Sequence, residues 1–369
     1  MQKNQKNTIP TYGIKYTGSK LKIIPYILSI VDELDGVRTV LDGFSGTTRV
    51  AQAFAQKGYT TTASDISTWS DVFGHCFLIA NKNDAFYQEI IDHLNSLKGY
   101  DGWYTEHYGS EHENSKMPFQ AKNTRKLDAI RDEIEKLDLD WADKAVILTS
   151  LILALDKVDS TLGHYVSYLA KWSKRSYKDL LLTLPKKFSI NNINHKVIKG
   201  DIFDTVSKNS YDFVYFDPPY GSNNDKMPSS RVRYASYYHI WTTIIKHDKP
   251  EVFGRVNRRV DTRDKANPSV FEEYRKDQDG HFIAIKNLDR LIQNTNAKYI
   301  LLSYSSGGRA TKQELSDIMK KSGKLLNVSV IKNNEFQYKK NIMGSMRWTN
   351  EWINSDDKYL EYLFLMEKN

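Results

Sequence analysis

The run YFDPPYG, Tyr215 to Gly221, places a carboxylate, two prolines and an aromatic ring side by side as Asp217, Pro218, Pro219 and Tyr220. Two consecutive prolines donate no ladder hydrogen bonds, so the apolar, aromatic-rich strand before them has to stop at Asp217. A residue before proline is pushed into extended backbone, which keeps Asp217 out of any helix. The product is a stiff loop at the carboxyl end of a strand, presenting a carboxylate acceptor, carbonyls withheld from the ladder and an aromatic face. In open α/β sheets that edge is where ligands bind. Taken alone, the four residues read equally as an ordinary strand-to-turn exit.

A second group of residues supports the ligand reading. The segment LDGFSGTT carries Asp42, Gly43, Phe44, Ser45, Gly46 and Thr47 between a strand and a helix. Gly43 and Gly46 let the backbone turn tightly and let a ligand approach the helix amino end. The spacing is not that of the dinucleotide fingerprint. Asp65 ends the next strand in SDIS, beside Ile66, and Asp201 ends a third in GDIF, beside Ile202. Asp65 is placed where such folds bind a ribose diol, and it serves equally as a helix N-cap. Acids ending three successive strands, with a glycine turn after the first, are more than capping requires.

These residues need a sheet to hold them. LKIIPYILSIVDEL, residues 21–34, reads as a helix with Pro25 in its first turn. RTVLDGFSGTTRVAQAFAQKGYTTTASDIS reads as strand, glycine turn, helix, a stop at Gly58 and a second strand, one βαβ unit with parallel strands. From about Ser67 to His195 the periodicity becomes helical. Leu127, Ile130, Ile134 and Leu137 form an apolar stripe, and Ala142 to Leu155 forms a buried helix. Strands resume at HKVIKGD and YDFVYFD, then at AKYILLSYSS. The helix TKQELSDIMKKSG follows, and LLNVSVIK and KYLEYLFLMEK close the chain as two strands joined by a hairpin-like excursion. The expected fold class is α/β with one antiparallel strand.

Composition narrows the partners. Lys and Arg number 53 against 45 Asp and Glu, for a net charge of +8, which suits a polyanion. A single cysteine, Cys76, excludes an internal disulfide or cysteine-cluster metal site, and the nine histidines show no metal-ligand spacing. No metal is expected. The polar start and the single cysteine point to the cytoplasm, and the longest apolar run, AVILTSLILAL, is too short to span a bilayer, so no membrane partner is expected.

Taken in order, KYTGSK (Lys15 to Lys20), DGFSGTT, SDIS, GDIF and DPPYG resemble the DNA adenine-N6 methyltransferases of the alpha group. The resemblance implies a Rossmann-like sheet that binds S-adenosylmethionine, interrupted by a helical target-recognition insertion. Residues 1–66 and 196–369 would form the catalytic domain and 67–195 the insertion, with 221–282 a basic, aromatic DNA-contacting segment. Asp65 would take the cofactor's ribose and Asp201 its adenine amine, with Ile66 nearby and Ile202 or Phe203 against the ring. Tyr16 and Lys20, flanking Gly18, would hold the methionine end by the Gly43–Gly46 turn. Asp217 and the Pro218 carbonyl would accept hydrogen bonds from an adenine amine and make its nitrogen nucleophilic. Tyr220 would face a base extruded from duplex DNA. One position departs from the family pattern: Thr48 stands where a second glycine is usual.

Three basic, aromatic segments read as phosphate and base contacts when taken together, although each alone reads equally as a solvated face. They supply Lys171, Lys174 and Arg175, then Arg231 and Arg233, then Arg258. NNEFQYKK resembles the family's aromatic hairpin, with Phe336 and Tyr338 beside the flipped base; a core role suits Phe336 as well. The resemblance implies a modification methylase acting on a specific duplex sequence, with a cognate restriction endonuclease as a further partner. Cytosine-N4 methylation uses a similar clamp that usually begins with serine, and methylation of protein glutamine or RNA amines typically shows N-P-P-Y. A DNA-binding module with a degenerate site is the reading from another class.

Overall fold

The computed structural model describes residues 9–112, 117–188, 190, 194–221, 234–263, 269–332, 338–344, 347–353 and 360–369. The chain begins with α1 (Ile24–Asp32), where Pro25 sits in the first turn and gives up no helical bond. Strand β1 (Thr39–Asp42), α2 (Arg49–Gln56) and β2 (Thr60–Asp65) form the expected βαβ unit, with Thr39 opposite Thr60 in a parallel pair. Gly58, at φ +91°, takes the left-handed turn that releases the chain from α2. Helices follow: α3 (Thr68–Gly74), continued by a π turn over His75–Ile79, α4 (Asp84–Ser96) and α5 (Trp103–Tyr108). The two-residue strands β3 (Gly109–Ser110) and β4 (Phe119–Gln120) precede α6 (Ala121–Ile134) and α7 (Trp141–Val158).

Strand β5 (Lys196–Lys199) pairs parallel with β2. After it come α8 (Ile202–Lys208), β6 (Tyr211–Phe216), α9 (Tyr234–Tyr237), α10 (His239–Lys246), and the short pair β7 (Val252–Phe253) and β8 (Arg258–Arg259). The chain then forms α11 (Ile283–Asn294), β9 (Ala297–Ser305), α12 (Lys312–Ser322) and β10 (Gly323–Lys332). The expected excursion is a hairpin of β11 (Tyr338–Gly344) and β12 (Arg347–Ile353), and β13 (Leu360–Lys368) ends the chain.

Two compact units share these elements. The first holds residues 1–205 and 233–267; the second holds 206–232 and 268–369. This division differs from the expected one, because the segment 67–195 packs in one unit with β1, β2, β5 and α10. The reason is the apolar face of α10: Ile240, Trp241 and Ile244 are buried in the same cluster as Leu127, Ile130 and Ile134 of α6 and the apolar run of α7. In the second unit β6 runs parallel to β9, and β13 lies antiparallel between β9 and β10. Leu363 to Met366 are buried in succession, as a strand covered on both faces requires. Thr311 and Glu314 close a capping box at the start of α12. Among the described residues no helix is long and apolar enough to cross a membrane, and no group of side chains is arranged to hold a metal.

Candidate active site

In the first unit, the turn between β1 and α2 is built from within. Asp42 is 1% exposed, and its Oδ2 accepts from Ala51 N of α2 at 2.9 Å. Ser45 is buried, with its Oγ 2.8 Å from Ser70 Oγ and 3.2 Å from Ser64 O. Gly43 and Thr47 are buried too, and Phe44 is half-buried. Asp42 and Ser45, expected at the ligand, brace the turn with these bonds, and Thr47 lies buried beside them. Thr48 is the N-cap of α2 at φ +58°, so the backbone takes the glycine-like path in spite of the threonine. A threonine there costs about 1–2 kcal/mol in strain. Thr48→Gly relieves that strain while emptying a buried site and losing the bond that Thr48 Oγ1 accepts from Gln52 Nε2. We therefore expect a urea midpoint giving stability within about 1 kcal/mol of the parent, where deletion of a buried side chain ordinarily costs more.

Asp65 pins this turn. Its Oδ2 accepts from Gly46 N and its Oδ1 from Ser67 N, both at 2.8 Å. Burial pushes its carboxyl above the usual range, and the hydrogen bonds from Ser67 and Gly46 oppose that shift. Beside it Ile66 is 75% exposed, an apolar side chain held open at a strand end next to a carboxylate. Tyr16 lies over Gly46: a Cβ at Gly46 would stand 3.2 Å from the Tyr16 ring. Tyr16 stacks on Tyr238 and Tyr234 at centroid distances of 4.7 and 5.3 Å, and burial raises its hydroxyl well above the ordinary tyrosine value. Gly18 turns at φ +82°, where a Cβ would meet Tyr234 Oη at 2.9 Å. Arg49 and Gln52 of α2 draw in the preceding segment, donating to Gly13 O at 2.8 Å and Tyr12 O at 2.9 Å. Tyr16, Gly18, Gly46 and Asp65 therefore gather at one place. Lys20 is half-buried, and its carbonyl accepts from Ile23 and Ile24 N at the start of α1.

Asp201 and Ile202 stand at the start of α8. Asp201 Oδ1 accepts from Phe203 N at 2.8 Å, which opens α8 as an N-cap does. Ile202 is 6% exposed, and Phe203 beside it is half-buried.

Lys15, in the same N-terminal motif, reaches the end of α7, where its Nζ lies 2.9 Å from Asp159 Oδ1 and 3.5 Å from Asp156 Oδ1. Burial pushes Asp156 up to about 6, against the pull of Lys15 and with the repulsion of Asp159. An acid whose folded pKa exceeds its unfolded value binds extra protons when folded, so stability falls as pH rises from about 4 to about 6. Asp156→Asn should remove this slope and stabilise the protein at pH 7 by on the order of 2 kcal/mol. Chemical denaturation of both proteins at pH 5 and pH 7 checks it; an equal difference at the two pH values contradicts it.

In the second unit, β6 ends at Phe216 and the D-P-P-Y loop follows, with Pro218 buried and Asp217, Pro219 and Tyr220 half-buried. Tyr220 Oη lies 2.6 Å from Asp217 Oδ1 and 2.7 Å from Glu361 Oε1 of β13. Ser303 Oγ of β9 donates to the same Glu361 oxygen at 2.5 Å. The Tyr220 carbonyl accepts from Arg309 N at 3.0 Å and from Tyr304 Oη at 3.2 Å, and the Tyr304 ring packs 4.9 Å from that of Tyr220. Gly221 takes φ +63°, and a Cβ there would stand 2.4 Å from Arg309 Nε.

The basic candidates separate. Lys171 and Lys174 are exposed. Arg175 is held by its neighbours: its guanidinium lies 2.7 Å from Asp159 Oδ1 and also donates to the carbonyls of Asp159 and Thr161. Arg258 is half-buried, donating to Thr262 O at 3.1 Å and lying over the Phe253 ring. Arg231, Arg233 and Phe336 lie outside the described residues. Tyr338 begins β11 opposite Ile353.

Tyr234, Tyr238, Arg49, Gln52, Glu361, Ser303, Tyr304 and Arg309 were not legible as site residues, because none belongs to a motif. A feature that could have flagged some of them is the tyrosine density of 234–238, three in five residues.

Residues 16–305 match the family described as D12 class N6 adenine-specific DNA methyltransferase. The chain is similar to modification methylase StsI of Streptococcus sanguinis, 30% identical over 83% of this chain and 46% of that protein. It is also similar to type II methyltransferase M.NlaIII of Neisseria lactamica, 25% identical over 84% of this chain and 89% of that one. Type II methyltransferase M.FokI of Planomicrobium okeanokoites is 26% identical, with 84% of this chain and 47% of that protein covered. The chain thus spans about half the length of the StsI and FokI methylases.

Proposed function

Because the chain belongs to the D12 class of N6 adenine-specific DNA methyltransferases, whose Rossmann-like fold it shares, we propose that it methylates the N6 amine of adenine in duplex DNA. The observation that carries this is the Asp217–Tyr220 loop at the end of β6, which sets a half-buried carboxylate, two prolines and an aromatic ring just beyond the last strand residue.

The residues of the first unit fit a nucleoside-bearing methyl donor. A half-buried carboxylate stands beside a 75% exposed isoleucine, next to a glycine turn that no larger residue would make cheaply. Asp65, Ile66, Gly46, Tyr16 and Lys20 would hold S-adenosylmethionine, with Phe203 as a further ring. When bound, this cofactor supplies an electrophilic methyl group. The rest is the work of the chain. An exocyclic amine conjugated to a purine is a poor nucleophile, because its lone pair is delocalised. Asp217 and the Pro218 carbonyl accept its two N–H groups, favour a pyramidal nitrogen and fix its direction. The prolines hold those acceptors still. Reaching a base in a duplex requires its extrusion, and Tyr220 offers the ring beside it.

Lys171 and Lys174 lie on the segment we assign to phosphate contact, within the 67–195 region we assign to target recognition. The setting is a restriction-modification system, with a cognate endonuclease as partner and the cytoplasm as compartment. The deciding experiment incubates the purified protein with duplex DNA and S-adenosylmethionine labelled in the methyl group, then separates the nucleosides after digestion. Label in N6-methyl-2′-deoxyadenosine is expected. Label in N4-methylcytosine would move the assignment to the other amine, and no label in DNA would overturn it.

A further inference from the structure

We infer that Glu361 is a positioning residue for methyl transfer, drawing the Tyr220 hydroxyl proton away from Asp217 so that the Asp217 carboxylate is available to the substrate amine. The inference rests on the role of Asp217 proposed above. A tyrosine hydroxyl carries one proton, and here two carboxylate oxygens stand within hydrogen-bond distance of it, at 2.6 and 2.7 Å. Both distances belong to the short, charge-assisted range, so the two acids compete for that proton. The hydroxyl cannot escape by ionising, because burial together with the negative charges of Asp217 and Glu361 raises it well above the ordinary tyrosine value. It remains a donor throughout.

Each oxygen the hydroxyl engages is less available to an incoming N–H. A proton held by Glu361 leaves both lone pairs of Asp217 Oδ1 to the amine; a proton held by Asp217 takes one of them and draws charge from that oxygen, which weakens it as an acceptor. Glu361 is well placed for the first state. It lies on β13, opposite Ser305 of the adjoining β9, and the fully buried Ser303 donates to the same Oε1. Two sheet strands therefore fix its carboxylate behind the loop, while Tyr304 and Arg309 hold the Tyr220 backbone.

The test is a small mutational cycle on the full chain, read as single-turnover methyl transfer to duplex DNA with saturating S-adenosylmethionine. Glu361→Ala sends the hydroxyl proton wholly to Asp217 and should slow transfer about 10–100-fold, the loss of one bond to a charged group, with cofactor affinity unchanged. Tyr220→Phe removes the competing proton, and its own measured rate is the reference for the double variant. The decisive protein is the double variant. Glu361→Ala with Tyr220→Phe should recover the rate of Tyr220→Phe alone, since no hydroxyl remains to occupy Asp217.

A purely structural role for Glu361 predicts the opposite, a double variant as slow as or slower than Glu361→Ala, and that result overturns the inference. So does an unimpaired Glu361→Ala. Should thermal melts show Glu361→Ala unfolded, Glu361→Gln serves in its place: its neutral acceptor should give a smaller slowing, again relieved by Tyr220→Phe. An Asp217→Asn arm separates the two levels. If that variant keeps its rate, the role given to Asp217 is at fault, whatever the Glu361 cycle returns.

Discussion

Asp217→Ala should lower methyl transfer to DNA by on the order of 10²–10³-fold or more while the protein stays folded. The two halves of this expectation have separate reasons. In the mechanism proposed above the carboxylate is the charged acceptor of the D-P-P-Y loop, and removing a preorganised group aimed at the reacting nitrogen would take its electrostatic stabilisation out of the transition state. For the fold, Asp217 is half-buried and sits beyond the end of β6, outside the ladder. The Tyr220 hydroxyl loses one acceptor but keeps Glu361 at 2.7 Å, so no buried donor is stranded. The cost in stability should be about 1 kcal/mol. Single-turnover rates and urea denaturation of the same preparation check both halves. Transfer near the parent rate would remove Asp217 from the mechanism; a large loss of stability would mean that the loop supports the fold as well as the chemistry.

Residues dictated by backbone chemistry were the legible ones. Pro218 and Pro219 ended a strand where it does end, Gly58 ended a helix, and Pro25 began one, because proline allows few backbone conformations and glycine alone takes the left-handed one cheaply. Asp65 and the Gly46 turn were assigned to one cofactor, and they are hydrogen-bonded, since parallel strands of a βαβ unit bring those ends together. Side chains whose partners are remote in sequence were not legible. Glu361 meets Tyr220 from 141 residues away, and nothing in KYLEYLF marks it. Arg175 stands in a basic run and reads as a phosphate contact until Asp159 is seen beside it. Asp201 shows the same limit in another form. An acid between a strand and a helix can hold a ligand or cap the helix, and the residue types are identical in the two cases. Thr48 is the reverse, a residue whose type argues against the conformation that its place in the turn imposes.

Asp128→Ala should destabilise the protein by about 3–5 kcal/mol, the largest effect on stability we expect from one side chain in the helical core. From sequence Asp128 looks like a solvated position between Leu127 and Ala129 of an amphipathic helix. It is instead 4% exposed and serves as the amino-terminal anchor of α5. Its Oδ1 accepts from Tyr104 N at 2.8 Å, and its Oδ2 from Gly102 N at 3.1 Å, Thr105 N at 3.0 Å and Thr105 Oγ at 2.7 Å. The first N–H groups of a helix have no partner within it, and α5 is only six residues long, so this carboxylate satisfies the end that α5 cannot. The alanine removes the charge and leaves these donors facing a void. Gly102 lies so close that a Cβ there would stand 2.6 Å from the carboxylate, which leaves little room for water to replace it. Asp128→Asn is the informative companion. It keeps one acceptor oxygen but turns an NH₂ group toward N–H donors, so it should recover less than half of the loss. Equilibrium unfolding in urea measures both. An asparagine variant as stable as the parent would show that one acceptor oxygen suffices and that neither the charge nor the second oxygen anchors the helix. An alanine variant within about 1 kcal/mol would show that the α5 end finds other partners when Asp128 is gone.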